Sequence, residues 1–224
     1  MAPTLYIAHD TCSRATQLIA NELNLDLDLV HFDVAGKTTS NGDDFAAVNP
    51  LLYVPCLKLD NETKDIVSET KDIVSETIVI CSYFADQHPE AGLIPAAGTL
   101  ERVKYDQVLV QLATEIAQKH IPLMRKLMTP EGIEFHSNKL KNAYKLLDDR
   151  LAVNPYLFGE KLTVADAYVW GTLWNSRSGV DISHLKNIAA WRERLEARPA
   201  AVKTLKDEAE IVALHKAKIA VSSA

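Results

Sequence analysis

Residues Thr4 to Leu25, TLYIAHDTCSRATQLIANELNL, change their hydrophobic period in mid-course, and that change constrains the fold more than any other feature of the chain. Leu5, Tyr6, Ile7 and Ala8 form a short apolar run closed by His9 and Asp10, the pattern of a buried strand. From Ser13 onward, Ala15, Leu18, Ile19 and Leu23 recur at helical spacing and lay one apolar stripe along a helix. Cys12 falls at the junction, where the unpaired N–H groups of a first helical turn and the positive end of the helix dipole converge. Such a setting lowers a thiol's pKa from about 8.5, which makes Cys12 a candidate nucleophile. A free cysteine is just as apt to be a small core hydrophobe, and position alone does not choose between the two.

The remainder of the chain narrows the class. A length of 224 residues suits one large domain or two small ones. A net charge of −6 offers no basic surface for nucleic acid and nothing to favour an anionic membrane. The start, MAPTLYIAHD, lacks the basic segment and long apolar core of a signal peptide, and no apolar run nears the roughly 20 residues of a membrane span. Three scattered cysteines, Cys12, Cys56 and Cys81, indicate neither a disulfide framework nor a metal site, so a reducing cytoplasm is the expected setting.

Along the chain, Asp28–Val34 reads as a second strand and completes a strand–helix–strand unit with parallel strands. Gly36–Gly42 is turn-rich, and 43–48 suits a short helix ended by Asn49-Pro50. Val54-Pro55 opens a strand through Cys56, Leu57 and Leu59, with Asp60-Asn61 as the turn. Proline at a strand's first residue donates no N–H, and a cis bond there would expose the Val54 backbone to a peptide-like ligand. TKDIVSE occurs at 63–69 and again at 70–76. A seven-residue copy is too short for a solenoid unit and reads as an insertion in a hairpin, which loop entropy tolerates cheaply. We assign the second copy to the strand, Asp72 to Ser75, with Glu76-Thr77 opening a helix over 78–86 and the first copy extending the turn. The rival register takes Ile66-Val67 as the strand and Glu69-Thr70 as the helix start; it would lengthen the helix by two turns, and Ile73, Val74, Thr77, Ile78 and Cys81 also fit a helical face.

Beyond His88-Pro89 and the linker AGLIPAAG the strand signals stop. Tyr105, Val108, Leu109, Leu112, Ala113 and Ile116 mark a long helix interrupted at Pro122; Thr129-Pro130 opens another through Leu151. Thr163 to Asp166 resembles a capping box ahead of a helix that is apolar on most sides through Trp174, expected at the centre of a second domain. Ile188, Trp191 and Leu195 define a further helix closed by Arg198-Pro199, and the tail is helical until VSSA frays.

This order of elements, with the motifs LYIAHDTCS, the proline-led strand near 49–57, SETIVICSYFAD at 75–86 and FGEKLTVADAYVW at 158–170, resembles the cytosolic glutathione S-transferases over about residues 1–215. Within them it is most similar to the bacterial, or beta, class. The resemblance implies an α/β, thioredoxin-like domain (βαβ–ββα) over 1–90, a linker over 91–98 and an all-helical domain over 99–224. It implies glutathione as co-substrate with no metal, a small hydrophobic electrophile lodged against the helical domain, and a homodimer.

Carried over by position, Cys12 aligns with the thiol that lies near the glutathione sulfur, and Ser13 is a second candidate for activating it or a helix cap. Val54 would pair its backbone with the cysteinyl part of glutathione beside a cis Pro55. Glu76 and Thr77 would receive the γ-glutamyl end, a placement with physical sense because a carboxylate at a helix N-terminus meets free N–H groups. Tyr53 and Lys37 complete the implied glutathione set, Tyr53 standing where that class often has glutamine. Asp166 would be a buried acid with a structural role. His9-Asp10 replaces a loop that commonly contains proline. The histidine and lysine that the class brings to its site fall on Ala117 and Gln118, and His120, one turn later, could substitute.

The leading expectation is therefore a transferase that activates the glutathione thiol for conjugation. Two others stay beside it: a monothiol disulfide reductase acting through Cys12, since Ala15 provides no resolving cysteine, and a glutathione-binding protein with little turnover.

Overall fold

The computed structural model describes residues 2–59 and 73–222. In chain order the elements are β1 (Thr4–Ile7), α1 (Ser13–Glu22), β2 (Asp28–Asp33), β3 (Thr38–Thr39), α2 (Phe45–Val48), β4 (Cys56–Lys58), β5 (Ile73–Ser75) and α3 (Thr77–Gln87). There follow α4 (Leu100–Leu112), a π-helical turn (Ala113–Ala117), α5 (Gln118–Arg125), α6 (Pro130–Leu151), α7 (Val164–Gly171), α8 (Asn175–Ser178), α9 (Lys186–Glu196) and α10 (Pro199–Ser222). The chain divides into two compact units, Met1–Gln87 with Pro199–Ala224, and His88–Arg198.

The first unit is built on a sheet in the order β3-β2-β1-β4-β5. β1 pairs parallel with β2 through the α1 crossover and antiparallel with β4, so Tyr6 lies between Val30 and Cys56. Alternation sends successive side chains to opposite faces. Tyr6 joins Val30, Phe32, Phe45 and Cys56 in one cluster, and the Tyr6 hydroxyl donates to Asp43. The stripe read from the sequence is the buried face of α1: Ala15, Leu18 and Ile19 are fully enclosed, and the helix packs on α3. Burying Leu18 and Ile19 contributes about 1.5–3 kcal/mol each, which helps hold the Cys12 junction in place.

Several boundaries differ from expectation. The second strand stops at Asp33, and the turn-rich stretch after it carries the two-residue β3, which pairs Phe32 with Thr39 and had no hydrophobic alternation to announce it. The doubled heptad is used as expected where it is described. Ile73–Ser75 of the second copy pair antiparallel with Cys56–Lys58, and α3 begins at Thr77. The first copy, the turn at Asp60-Asn61 and Asp72 lie outside the described residues.

The terminal helix was expected within a helical domain spanning 99–224. Instead α10 packs against α1 and β2 and is counted with the sheet unit. Its buried residues Ala201, Thr204, Glu208, Val212 and His215 form one stripe; periodicity reveals such a stripe but not the surface it meets.

In the second unit the long helix departs from α-geometry at Ala113–Ala117, not at Pro122, which sits inside α5. Proline forgoes an N–H and crowds the carbonyl four residues back, and α5 ends at a left-handed Lys126 soon after. α7 is buried along its whole length, as expected, but stops at Gly171. The Thr172 hydroxyl bonds back to the Tyr168 carbonyl at 2.7 Å and closes the last turn before Trp174. Asp166 is completely buried and accepts four hydrogen bonds of 2.8–2.9 Å, from the Leu157 and Thr163 N–H groups, the Thr163 hydroxyl and Trp191 Nε1. Burial pushes its carboxyl up, against the pull of those donors. Asp148 of α6 caps α9 in a similar way, accepting from the N–H groups of Asn187 and Ile188.

Candidate active site

The loop between β1 and α1 is closed from within. The Ser13 hydroxyl accepts the Ala8 N–H at 3.1 Å and lies 2.8 Å from the Thr11 hydroxyl, which donates to the Ala8 carbonyl at 2.7 Å. Ser13 is 0% exposed. Its side chain does not face solvent; it ties the strand end to the helix start.

Cys12 occupies the N-cap position of α1, partly buried, its side chain capping no N–H. Its Sγ–H donates to the Val54 carbonyl oxygen at 3.6 Å, and the Thr77 hydroxyl lies within hydrogen-bonding reach. The sequence expectation of a lowered thiol pKa does not hold. Burial pushes the Cys12 thiol up and outweighs the opposing help of the Thr77 hydroxyl and of the Cys12 and Ser13 N–H groups, while the Glu76 carboxylate adds to the rise. The desolvation cost of an anion exceeds the helix-end attraction at this depth, so Cys12 is a protonated donor at neutral pH.

The Val54–Pro55 peptide is cis. Among the described residues the Val54 N–H has no protein partner, while Pro55 is buried beneath it. Asn49 secures the approach, donating to the Tyr53 carbonyl at 2.8 Å. Glu76 is exposed, holds φ 72 in the left-handed region, and its carbonyl accepts the first α3 bond, from the Ile80 N–H at 3.0 Å. Thr77 opens α3 and is buried. Non-glycine residues hold such a conformation at a cost, and it recurs where ligands are gripped.

Cys12, Val54, Pro55, Glu76 and Thr77 therefore come together around one thiol, where a peptide edge and a helix N-terminus meet. Tyr53 projects into solvent beside them. Lys37 stands in the turn after β2, exposed and left-handed with φ 54, and no described contact links it to this group. His120 does not take over a site role: it is 0% exposed, with Nδ1 2.8 Å from the Ser178 hydroxyl and Nε2 2.8 Å from the Tyr144 hydroxyl. Burial lowers its pKa to about 4, so it is a neutral core residue of the second unit. Cys56 and Cys81 are buried, as expected, and burial raises both thiols. Sequence reasoning missed Thr11, whose hydroxyl organises the loop, and Glu208, whose carboxylate reaches the same loop from 198 residues away. Among the described residues no group of three His, Cys, Asp or Glu side chains could hold a metal ion, and no helix is long and apolar enough to cross a membrane.

A thioredoxin-like sheet unit with a cysteine at the mouth of its first helix, a cis-proline edge beside it and a separate helical unit define the class of two-part glutathione transferases. The comparisons agree. The model for the glutathione S-transferase N-terminal domain matches residues 11–87, and that for the C-terminal domain matches residues 113–199. Glutathione S-transferase GstA of Escherichia coli O157:H7 is 29% identical over 205 residues, 91% of this chain and 98% of that protein. A bacterial beta-class glutathione S-transferase of Sphingomonas chungbukensis superposes with a TM-score of 0.80 at 32% identity, covering 92% of this chain and 98% of its own. A sphingomonad glutathione S-transferase complexed with glutathione gives a TM-score of 0.81 at 31% identity with the same coverage. The chain belongs to the glutathione S-transferase family, alongside its bacterial beta-class members.

Proposed function

We propose that this protein binds glutathione along the Val54 edge and transfers its sulfur to a small hydrophobic electrophile. The observation that carries the reading is the 3.6 Å contact between Cys12 Sγ and the Val54 carbonyl at the front of α3. A tripeptide laid on this edge would pair its cysteinyl backbone with the Val54 N–H and C=O, bringing its own sulfur to Cys12. The γ-glutamyl carboxylate would meet the N–H groups of the first α3 turn, and Glu76 would take the ammonium. A Cys12 thiol held protonated by burial then serves as a hydrogen-bond donor to the glutathione sulfur and favours its anion, the nucleophilic form. With an aryl chloride the sulfur forms a bond to carbon, chloride leaves, and the thiol proton passes to solvent. Ser13, enclosed behind the loop, is left a structural part. Lys37 and Tyr53 remain proposed ligand contacts, reached only if glutathione extends past the described cluster.

The setting we infer is cytoplasmic, and the assembly a homodimer; sedimentation of the purified protein tests the latter. Function is tested by calorimetric titration with reduced glutathione, followed by assays with a chlorinated dinitrobenzene and with a β-hydroxyethyl–glutathione disulfide, wild type beside Cys12→Ala. Glutathione uptake with conjugation supports the transferase. Turnover of the disulfide alone, lost in Cys12→Ala, would favour the monothiol reductase. Binding without either activity would leave a binding protein, and no uptake ends the reading.

A further inference from the structure

Helix α10 reaches the loop that carries Cys12. One oxygen of the Glu208 carboxylate accepts the Asp10 N–H at 2.7 Å, and the other accepts Arg14 Nε–H at 2.9 Å. Arg14 Nη2 also donates to the Asp10 carboxylate at 2.9 Å. These partners bracket Cys12, two residues before it and two after. Glu208 is only 4% exposed, so its charge is held inside the unit by groups that match it. Asp10 has φ 54, in the left-handed region that aspartate adopts more readily than most side-chain-bearing residues. Thr11 and Ser13 brace the loop from within, and Glu208 is the brace from outside.

We propose that Glu208 is a positioning residue for Cys12: by holding Asp10 and Arg14 it aims the thiol at the Val54 edge and sets how far the thiol is buried. It touches neither ligand nor reacting atoms. Its effect on turnover rests on the function proposed above, whereas its effect on the thiol does not.

The same α1–α10 seam supplies the control. Asn21 Nδ2 donates to Thr204 Oγ1 at 2.9 Å without contacting the loop. Glu208→Gln, nearly isosteric, keeps one acceptor for the Asp10 N–H and loses the charge opposite Arg14, whereas Asn21→Ala weakens only the seam. Each variant and the wild type are alkylated with iodoacetamide in the absence of glutathione, Cys12 is followed by peptide mass, and thermal midpoints are recorded alongside. Loss of a hydrogen bond to a charged group corresponds to about tenfold or more in the loop equilibrium, so Glu208→Gln should change the Cys12 alkylation rate about tenfold. Asn21→Ala should keep the wild-type rate even where its midpoint falls as far. In the transferase assay Glu208→Gln should raise the KM for glutathione more than it lowers kcat. Equal rate changes in the two variants, or a wild-type rate in Glu208→Gln, would overturn the proposal. Should the wild type bind no glutathione, the functional reading falls, while the alkylation comparison still decides the role of Glu208.

Discussion

His31 Nδ1 lies 2.8 Å from His215 Nδ1, joining the middle of β2 to the last part of α10 inside the first unit. The contact requires one ring to donate and the other to accept, so at most one of the facing nitrogens carries a proton and at least one ring is neutral. His9 approaches the far side of His31, its Nδ1 3.5 Å from Nε2, and Thr38 lies 3.3 Å from His215 Nε2. Burial, then the neighbouring His215 and His9, lower the His31 pKa to about 4; Asp33 opposes this and Lys216 adds to it. His215 is lowered too, chiefly by burial, with Asp33 opposing and Lys218 assisting.

A folded-state pKa below the unfolded value of about 6.5 means that acid favours the unfolded chain. The contribution of His31 is therefore complete above about pH 6.5 and is lost as the pH falls towards about 4. Urea midpoints of wild type and His31→Asn should differ most at pH 7.5 and converge by pH 4.5. A gap of constant size across that range would show that this contact does not titrate.

Cys12 should be a slow thiol. With its pKa raised by burial, its rate of alkylation by iodoacetamide at pH 7 should fall below that of a free cysteine and keep rising past pH 9. A rate profile that levels off below about pH 8 would restore the activation by the helix end that its sequence position suggests.

Glu76 offers a cleaner separation of binding from folding, because its side chain is exposed. Glu76→Gln should weaken glutathione about tenfold, the scale of one hydrogen bond to a charged group, with an unchanged thermal midpoint. Unaltered affinity in the calorimeter would remove Glu76 from the site.

Asp166 should matter to stability and not to chemistry. Asp166→Ala would strand four buried donors and cost about 3–5 kcal/mol, the range for breaking a buried charged network. Trp191→Phe, which removes one donor and keeps most of the ring volume, should cost about 1–2 kcal/mol. Denaturant titration of both variants measures the difference, and equal losses would argue against the network as the source.

The strand–helix junction at Cys12, the parallel β1–β2 pair, the Thr163–Asp166 helix start and the change to an all-helical second half follow from the sequence, because each is local: a hydrophobic period, a cap or a proline within a few residues. The placement of Cys12, Val54 and Thr77 was legible only through the likeness to a family, since three separate segments must converge to make it. The brief β3 pairing escaped notice because a two-residue strand has no period to detect.

What the amino-acid sequence determined by itself was most of the longer elements and the faces they bury. Only the tertiary structure decided that α10 lies on the sheet unit, that Glu208 and His215 reach the loop and strand near the N-terminus, and that desolvation around the partly buried Cys12 raises its thiol pKa against the pull of the helix end. Those outcomes depend on desolvation and on partners far apart along the chain, and neither quantity is written in the neighbourhood of any single residue.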